Sequence, residues 1–288
     1  MISFLVLAAF ALDPSLARLR AEDARLATIG WRLQTANAAM CPGQHVIGLT
    51  VDALSQYPRD VQAKLALTDR PGVAAVAPGS AAERATLKVG DILMSINGQP
   101  TPVVTPKAGY APIGATETML DKAADGKTIL LEIQREGVAK TVELTPDAGC
   151  ASDIQIIPGR SVNAQADGRY VQINAAMLDF VANDDELATI VAHELAHNIL
   201  RHIVLKTPSK QSEYEADRLG VALMVQAGYN IDAVVPFWTR FEKRTNAGIF
   251  ADRTHPSSKK RLAAVAAAVA EWKYGQPLVP PSQNEKPR

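Results

Sequence analysis

The segment that most constrains this chain is the pentapeptide His-Glu-Leu-Ala-His, which runs from His193 to His197 inside an apolar stretch at 187–200. Residues four apart lie on the same face of an α-helix, so the two imidazoles project together. Two histidine nitrogens in this arrangement can bind one Zn²⁺. Glu194 lies beside the first histidine, where a carboxylate can take a proton from an attacking water. The segment predicts a zinc hydrolase site; the alternative is a chance match in a buried structural helix.

The residues around this segment favour a buried helix, and its polar groups favour a metal site. An Asn-Asp-Asp-Glu sequence at 183–186 supplies a capping residue and acids where a helix should begin. Apolar residues then recur at helical spacing, at Leu187, Ile190, Val191, Leu195 and Ile199. Because unpaired polar groups are costly in a core, two imidazoles and a carboxylate on such a helix favour the metal site over chance.

A third ligand is predicted from a second helix downstream. Zinc hydrolases usually have three protein ligands and leave a fourth position for water. Glu213 and Asp217 are four residues apart and would share one face of a helix whose predicted N-cap is Ser212. Glu213 would complete the ligand set, and Asp217 would accept the outer N–H of a ligating histidine. The alternative is a solvated acidic face, which is the interpretation favoured for Glu215.

The longer sequence pattern resembles a known family. The run H-E-L-A-H-N-I-L-R-H, followed by E-Y-E-A-D-R-L-G, is similar to the gluzincin peptidases of the HtpX and BepA kind, relatives of the CAAX prenyl proteases. The resemblance covers residues 152–272. It implies one Zn²⁺ per chain, with His193, His197 and Glu213 as metal ligands and Glu194 as the general base.

The resemblance also implies roles outside the ligand set. Asp217 would orient a histidine. A late T-H-P-S-S-K-K-R segment would bring His255 and Arg261 near the site, as catalytic residues that contact the substrate or the transition-state oxygen, or as residues that hold the site closed before activation. The alternative for His255 is a turn histidine before a proline. His202 falls off the ligand face, so a structural role is expected, and His45 receives no role.

A substrate-binding strand is implied as well. In this family an Asn-Ala pair precedes the edge strand of the active site, and here Asn163 and Ala164 precede a strand-like segment at 168–173. We therefore expect this segment to be an edge strand along which a substrate backbone lies antiparallel. The predicted substrate-binding residues are Asn163, Tyr170 and Val171.

The part of the chain between its two cysteines has a different pattern. A strand-like run of small residues begins at Gly72 and leads into Pro-Gly turn chemistry, and an Asn-Gly pair follows as a hairpin signal. Further predicted helices lie at 81–87 and 116–124, and strands at 92–96, 128–135 and 139–144. This order resembles a PDZ domain of the bacterial protease-associated type. Thr86 is a departure, because the pattern usually has glycine at that position.

The PDZ resemblance implies a peptide-binding groove. PDZ domains bind an extended peptide as an added strand and often capture its terminal carboxylate with backbone N–H groups. The groove would lie between a loop at 64–67 and a helix that carries Thr116 and Leu120. The loop has no glycine, which disfavours carboxylate capture. The alternative is a β-rich insert that only covers the peptidase site.

The predicted fold class is α+β, with a mainly helical zincin-type metallopeptidase domain that contains a small sheet, plus an inserted β-rich PDZ domain. A chain of 288 residues is long enough for both. An amphipathic helix at 15–39 and a strand-like segment at 46–51 are assigned to the peptidase domain. The predicted units are a signal peptide at 1–11, the N-terminal part of the peptidase domain at 12–54, the PDZ-like domain at 55–148, the catalytic domain at 149–274 and a disordered tail at 275–288.

The N-terminal segment bears on localisation. Residues 2–12 are apolar apart from Ser3 and contain the small-residue pattern Ala-Phe-Ala, as a signal peptide does. Because no Lys or Arg precedes this stretch, the alternative is a buried first helix and a cytoplasmic protein. We expect secretion to the periplasm of a Gram-negative host, where Cys41 and Cys150 could form one disulfide.

Composition limits the partners. Thirty basic and thirty acidic residues cancel, so nothing favours nucleic acid or an anionic membrane surface, and no transmembrane span is expected in the mature chain. The predicted function is a zinc-dependent endopeptidase that cleaves proteins or peptides in envelope protein quality control. Its PDZ module would bind substrate or another peptide ligand, or regulate access. The alternative is an autoinhibited or non-proteolytic PDZ-containing chaperone or adaptor of the cell envelope.

Overall fold

A computed structural model of the chain describes residues 14–62, 68–207, 209–245 and 258–274. The elements of its first half are α1 (Pro14–Ala36), β1 (His45–Val46), β2 (Leu49–Asp52), α2 (Arg59–Gln62), β3 (Gly72–Val76), α3 (Ala81–Arg84), β4 (Ile92–Ile96), β5 (Gln99–Pro100), α4 (Ala111–Ala123), β6 (Ile129–Arg135) and β7 (Val138–Leu144). Those of the second half are β8 (Asp147–Ala148), β9 (Asp153–Ile157), β10 (Ala164–Ala166), β11 (Tyr170–Asn174), α5 (Ala175–Phe180), α6 (Asp184–Ile199), α7 (Lys210–Gln226), α8 (Val234–Thr245) and α9 (Ser258–Tyr274). The predicted signal peptide, the loop at 64–67, His255 and the tail at 275–288 lie outside the described residues.

The elements enclose two main hydrophobic cores, and the predicted α+β class is confirmed. One core surrounds α6 and receives side chains from α1, β11, α5, α7, α8 and α9. The other lies between α4 and the sheet formed by the first half of the chain. Burial of apolar surface in these two places is the main force that holds each set of elements together.

The first-half sheet has the strand order β2-β3-β4-β6-β7, with β5 paired to β4. At the Asn97-Gly98 turn between β4 and β5 the two φ angles are 48° and 75°, the left-handed pair that a type I′ hairpin needs. In β2, Leu49 is opposite Val76 of β3. The strand at 49–52 therefore lies in the PDZ-like sheet, whereas the sequence had suggested that it belongs with the peptidase elements.

Helix α4 has one side in the core of the PDZ-like sheet and another side at a cavity. Thr116 and Leu120 are buried, and the loop at 64–67 that would form the other wall of the predicted groove lies outside the described residues. Tyr110, Ile113 and Glu117 line a cavity of about 380 Å³ whose opposite wall includes residues of β9 and β11. The helix side of the PDZ-like module therefore faces the sheet of the other core.

The sheet beside α6 has the strand order β10-β11-β9. Strand β11 pairs antiparallel with β10 on one side and parallel with β9 on the other. Tyr170–Asn174 is therefore a central strand, and the prediction of an edge strand there is wrong. The segment directly after Asn163 forms β10, which pairs only with β11 among the described strands and is the edge next to α6.

Capping residues determine where the two helices of the site, α6 and α7, begin. At α6, the side chain of Asn183 accepts a hydrogen bond from Glu186 N at 3.0 Å, so the predicted cap is confirmed. Helix α7 begins earlier than predicted, because Ser209 is its N-cap and forms a reciprocal capping box with Ser212. Ser212 lies in the first turn and is not the cap.

Gly220 sets how closely α6 and α7 approach. A Cβ added at this position would lie 3.2 Å from His193 N and 3.3 Å from His193 Cα. Only a residue without a side chain lets the two backbones pack at this distance without a shift. Gly220 thereby holds the second helix against the first at the level of the histidines.

Cys41 and Cys150 form a disulfide with a Cα–Cα distance of 5.1 Å. Both cysteines are buried in the α6 core, and their separation in sequence is 109. The bridge therefore joins the two points at which the chain leaves and re-enters this core around the PDZ-like sheet. No helix within the described ranges is long and apolar enough to cross a membrane.

Candidate active site

Two helices bring the predicted metal ligands together. His193 and His197 lie one turn apart on α6, and Glu213 lies in the first turn of α7. One ligand atom from each residue lies within 4.8 Å of the other two. The Nε2 atoms of the histidines are 3.3 Å apart, and Glu213 Oε1 lies 3.5 Å from His197 Nε2. The three side chains therefore face a common point.

The spacing at this point fits Zn²⁺. Two nitrogens that each lie about 2.0–2.1 Å from a tetrahedral Zn²⁺ would be about 3.3 Å apart, and the two Nε2 atoms have a separation of 3.3 Å. Two imidazoles and one carboxylate are also the ligand types that zinc hydrolases use.

The charges around the point fit a cation as well. Glu194, Glu213 and Asp217 are largely buried here, and the guanidinium of Arg261 lies beside them in the described part of the chain. A divalent cation held by His193, His197 and Glu213 would place further positive charge next to these carboxylates.

The Asp217 carboxylate lies next to the outer nitrogen of His193, the position that its predicted orienting role requires. Its Oδ1 atom lies 3.0 Å from His193 Nδ1, so the other ring nitrogen, Nε2, faces the ligand point. Burial favours a higher pKa for Asp217, but the Arg261 guanidinium and His193 outweigh it and lower the pKa to about 2. The carboxylate therefore stays charged throughout the physiological range.

Arg261 enters this cluster from α9. Its Nε and Nη2 atoms each donate to the Asp217 carboxylate at 2.9 Å, and Nη2 lies 3.3 Å from His193 Nε2. The guanidinium carbon lies 3.8 Å from the ring centroid of Trp238, and that ring also packs edge-on against His193. Arg261 thus lies near the site as predicted, where its main contact is the charge pair with Asp217.

The protonation states suit a hydrolytic site. Burial raises the pKa of Glu194 to about 6, and Glu213 adds to the rise against the opposing effect of His193. A base with a pKa near neutrality is efficient at transferring protons. Burial together with His193 and His202 lowers the pKa of His197 to about 2, so this imidazole is neutral, the form that binds metal.

His202 lies in the site, although its position in the sequence indicated only a structural role. Its Nδ1 atom is 3.0 Å from His197 Nδ1, and its Nε2 atom is 3.1 Å from Glu215 Oε2. Glu215 is about half exposed, as expected for the outer face of α7, but its carboxylate is engaged with this histidine.

The predicted substrate-binding residues have other contacts. Val171 is fully buried in the core, so its side chain cannot reach a substrate. The Tyr170 hydroxyl donates to Glu117 of α4 at 2.9 Å, and the carbonyl of Asn163 accepts from Asn174 N at 3.1 Å. Asn163 directly precedes the edge strand β10, whereas Tyr170 and Val171 lie on β11.

Asn198 joins the metal helix to the central strand, a role that sequence reasoning did not assign. It directly follows His197, and its Oδ1 atom accepts from Gly168 N at 2.8 Å. Its Nδ2 atom donates to Tyr170 O at 3.1 Å. The side-chain amide of Asn198 thus fixes α6 against the start of β11.

Comparisons with known proteins agree with this site. The family described as Peptidase family M48 matches residues 134–209 and 205–269, and a PDZ domain family matches residues 72–135. The mitochondrial metalloendopeptidase OMA1 of Saccharomyces cerevisiae is 26% identical over 44% of this chain and 46% of its own length. OMA1 of Schizosaccharomyces pombe is 27% identical over 36% of this chain and 41% of its own length.

Two further similarities are more limited. A probable periplasmic serine endoprotease DegP-like of Rhizobium meliloti is 30% identical over 44% of this chain and 28% of its own length. A solved structure of the HtrA-type protease AlgW with decapeptide is 20% identical, covers 36% of this chain and 29% of that chain, and has a TM-score of 0.28, too low to support an argument. The chain spans less than half the length of the curated relatives it matches.

The geometry and the two family matches together define the class. The HExxH helix, the glutamate from the following helix and the M48 match identify a zinc metalloendopeptidase domain. A PDZ domain precedes its catalytic helices in the same chain. The predicted enzyme class is thereby confirmed.

Proposed function

We propose that this protein is a gluzincin endopeptidase of the HtpX and BepA kind that cleaves damaged or misfolded proteins of the cell envelope. The observation that carries the proposal is the convergence of ligand atoms from His193, His197 and Glu213 within 4.8 Å, next to the buried carboxylate of Glu194. When bound, Zn²⁺ would supply Lewis-acid polarisation of the scissile carbonyl and activation of water. Glu194 would accept the proton of the attacking water and deliver it to the leaving amine.

The site geometry suggests how a substrate would lie. Strand β10 offers an edge next to α6 in the described part of the chain, and an extended peptide could add to it by main-chain hydrogen bonds. We place the substrate backbone along β10 and not along β11, both of whose edges are already paired. Recognition by backbone would suit unfolded chains of varied sequence.

The test separates a peptidase from a chaperone-like binding protein. Wild type and Glu194→Gln would be compared for cleavage of a fluorescently labelled unfolded protein and for zinc content. We expect both proteins to bind zinc and only the wild type to cleave. Equal cleavage by Glu194→Gln would refute the proposed mechanism, and binding of the unfolded protein without cleavage by either would favour the chaperone or adaptor.

The proposed role of the PDZ domain is to regulate the catalytic site. Arg169, at the start of β11, donates to Thr118 of α4 at 2.8 Å and pairs with Asp121 of α4 at 2.9 Å and with Asp153 at 2.8 Å. The adjacent Tyr170 is held by both Glu117 and Asn198. These contacts give a continuous path from the PDZ helix to the residue beside His197.

This path can be tested by removing one charge. We expect Arg169→Met to lower the rate of protein cleavage several-fold while zinc content stays unchanged, because β11 and Asn198 lose their support from α4. Lys140→Met is the matched control, since Lys140 is an exposed cation on β7. Wild-type cleavage rates in both variants would refute a regulatory role for these contacts.

We also propose export to the periplasm. The proposal is supported by the apolar segment at 2–12 and by the Cys41–Cys150 disulfide, since disulfides persist in oxidising compartments. Cell fractionation with N-terminal sequencing of the purified protein would test it. A protein found in the cytoplasm with residues 1–11 intact would contradict export.

A further inference from the structure

We infer that His202 and Glu215 form a positioning pair that fixes the tautomer and the ring orientation of the zinc ligand His197. The inference rests on the proposed zinc site and names the groups that this chain uses to prepare its second histidine ligand. His202 is therefore a positioning residue that acts through His197, and it does not touch the metal or the substrate.

The way in which α6 ends places His202 next to His197. His202 N donates to His197 O at 3.1 Å, and Arg201 N donates to Asn198 O at 3.1 Å. Arg201 has φ of 58°, so these two bonds and this left-handed residue form a Schellman motif. A straight helix would carry His202 away from the ligand face, whereas the motif turns the chain and places its imidazole against that of His197.

The next turn of chain holds His202 in this place. Thr207 N and Thr207 Oγ1 both donate to His202 O, at 2.9 Å and 3.2 Å. His202 is only 4% exposed, and its ring packs edge-on against that of His197 with centroids 5.0 Å apart. Because the His202 imidazole is already fixed in the folded protein, it can orient the His197 ring, and little side-chain entropy is lost when the metal binds.

The hydrogen-bond chain specifies the tautomers. A carboxylate only accepts hydrogen bonds, so His202 donates its Nε2–H to Glu215 Oε2, across 3.1 Å. In the neutral form of the His202 ring the Nδ1 atom is then an acceptor, and it faces His197 Nδ1 at 3.0 Å. In this arrangement His197 donates from Nδ1, and its Nε2 lone pair is left to point at His193 and Glu213.

The two ligand histidines are thus prepared in different ways. His193 meets a carboxylate directly, because Asp217 Oδ1 lies 3.0 Å from its Nδ1 atom. His197 meets a carboxylate through a second imidazole, and that carboxylate belongs to Glu215 on the same helix, α7. Both arrangements place the ligand nitrogen at Nε2, and both tie the histidines of α6 to the helix that carries the third ligand.

Zinc affinity is the primary readout. Loss of an outer partner typically lowers metal affinity about 10- to 100-fold. We expect His202→Phe, which keeps a ring of similar size but has no acceptor, to lower zinc affinity by about this factor when measured by chelator competition. His45→Phe is the matched control, because it removes a histidine remote from the site in sequence and without an assigned role; its zinc affinity should equal that of the wild type.

A second variant covers the case in which His202→Phe does not fold. Glu215 is about half exposed, so Glu215→Leu should keep the fold, and we expect it to lower zinc affinity about tenfold, the smaller of the usual losses for an outer partner. Zinc affinity within twofold of wild type for Glu215→Leu and for any folded His202→Phe would overturn the inference.

The tautomer supplies a test that does not depend on zinc. In metal-free wild type, ¹⁵N NMR of the imidazoles should show the proton of neutral His197 on Nδ1, and Glu215→Leu should show a mixture of tautomers. A proton on Nε2 of His197 in the wild type would overturn the inference. Failure of the proposed function is distinguishable, since it would appear as wild type that binds no zinc or as Glu194→Gln that still cleaves.

Discussion

Replacement of Arg261 by methionine probes the buried charge pair behind the first ligand. In the wild type, Arg261 is 4% exposed and makes two hydrogen bonds of 2.9 Å to the Asp217 carboxylate. Methionine keeps much of the aliphatic stem of arginine but removes the charge. The variant therefore leaves Asp217 buried and charged, with His193 as its remaining partner at 3.0 Å among the described residues.

The expected loss of stability is large. Removal of one partner of a buried ion pair costs about 3–5 kcal/mol, because the other charge stays in a low-dielectric site. The cation–π contact of Arg261 with Trp238 adds about 0.5–2 kcal/mol, partly replaced by contact of the methionine sulfur with the ring. We expect a total loss of about 3–6 kcal/mol, a large part of the roughly 5–15 kcal/mol that holds a typical domain folded.

The assay is urea denaturation of the metal-free protein, followed by circular dichroism, because bound zinc would add its own stabilisation. Arg218→Met is the control, since Arg218 pairs with Glu271 at 3.0 Å on the surface, with both side chains about half exposed. That pair should contribute about 0–1 kcal/mol. A loss below about 1 kcal/mol for Arg261→Met, equal to that of the control, would refute the argument.

Three further predictions concern packing, backbone strain and pH. Gly220→Ala should lower both stability and zinc affinity, because its Cβ would lie 3.2 Å from the backbone of His193; unchanged zinc affinity by chelator competition would contradict the close approach. Thr86→Gly should stabilise the PDZ-like core by about 0.5–1 kcal/mol in thermal denaturation, because a β-branched residue at φ of 65° is strained; destabilisation would contradict this. Burial raises the pKa of Asp153 to about 7 from its ordinary 3.8, so the folded state binds this proton more tightly, and the group's contribution to stability is lost as pH rises from about 4 to 7. Asp153→Asn should flatten the fall of the unfolding free energy over that window, and an equal slope in both proteins would contradict the assignment.

Much of the candidate site could be predicted because its signals are local. The four-residue spacing of His193 and His197, and that of Glu213 and Asp217, fixes which side chains share a helix face. The structure brings both pairs to one point. The position of Arg261 is predicted only by the family resemblance, since nothing in the neighbouring sequence distinguishes a buried arginine from a solvated one.

The errors came from features that depend on distant parts of the chain. Whether Tyr170–Asn174 is an edge or a central strand depends on its pairing with Asp153–Ile157. The alternation of apolar and polar residues along a strand does not show which strands lie beside it. The sequence does not distinguish Ser209 from Ser212 as the start of α7, because serine is a good cap at either position; the hydrogen bonds of the folded chain select Ser209.

The role of His202 was hidden for a different reason. Glycine usually marks the left-handed residue of a Schellman motif, but this chain has Arg201 there. Without that signal, the helical pattern extends past its true end and directs His202 away from the ligand face. A histidine five residues after a ligand histidine can therefore contact that ligand when the helix ends between the two.

Zinc stoichiometry in three proteins tests the central claim most directly. Wild type, Glu194→Gln and His197→Ala would be purified in parallel, freed of weakly bound metal and measured for zinc per chain. The proposed site predicts about one zinc per chain in wild type and in Glu194→Gln, and a large loss in His197→Ala. Equal zinc content in His197→Ala and wild type would contradict the ligand assignment on which the proposed enzyme depends.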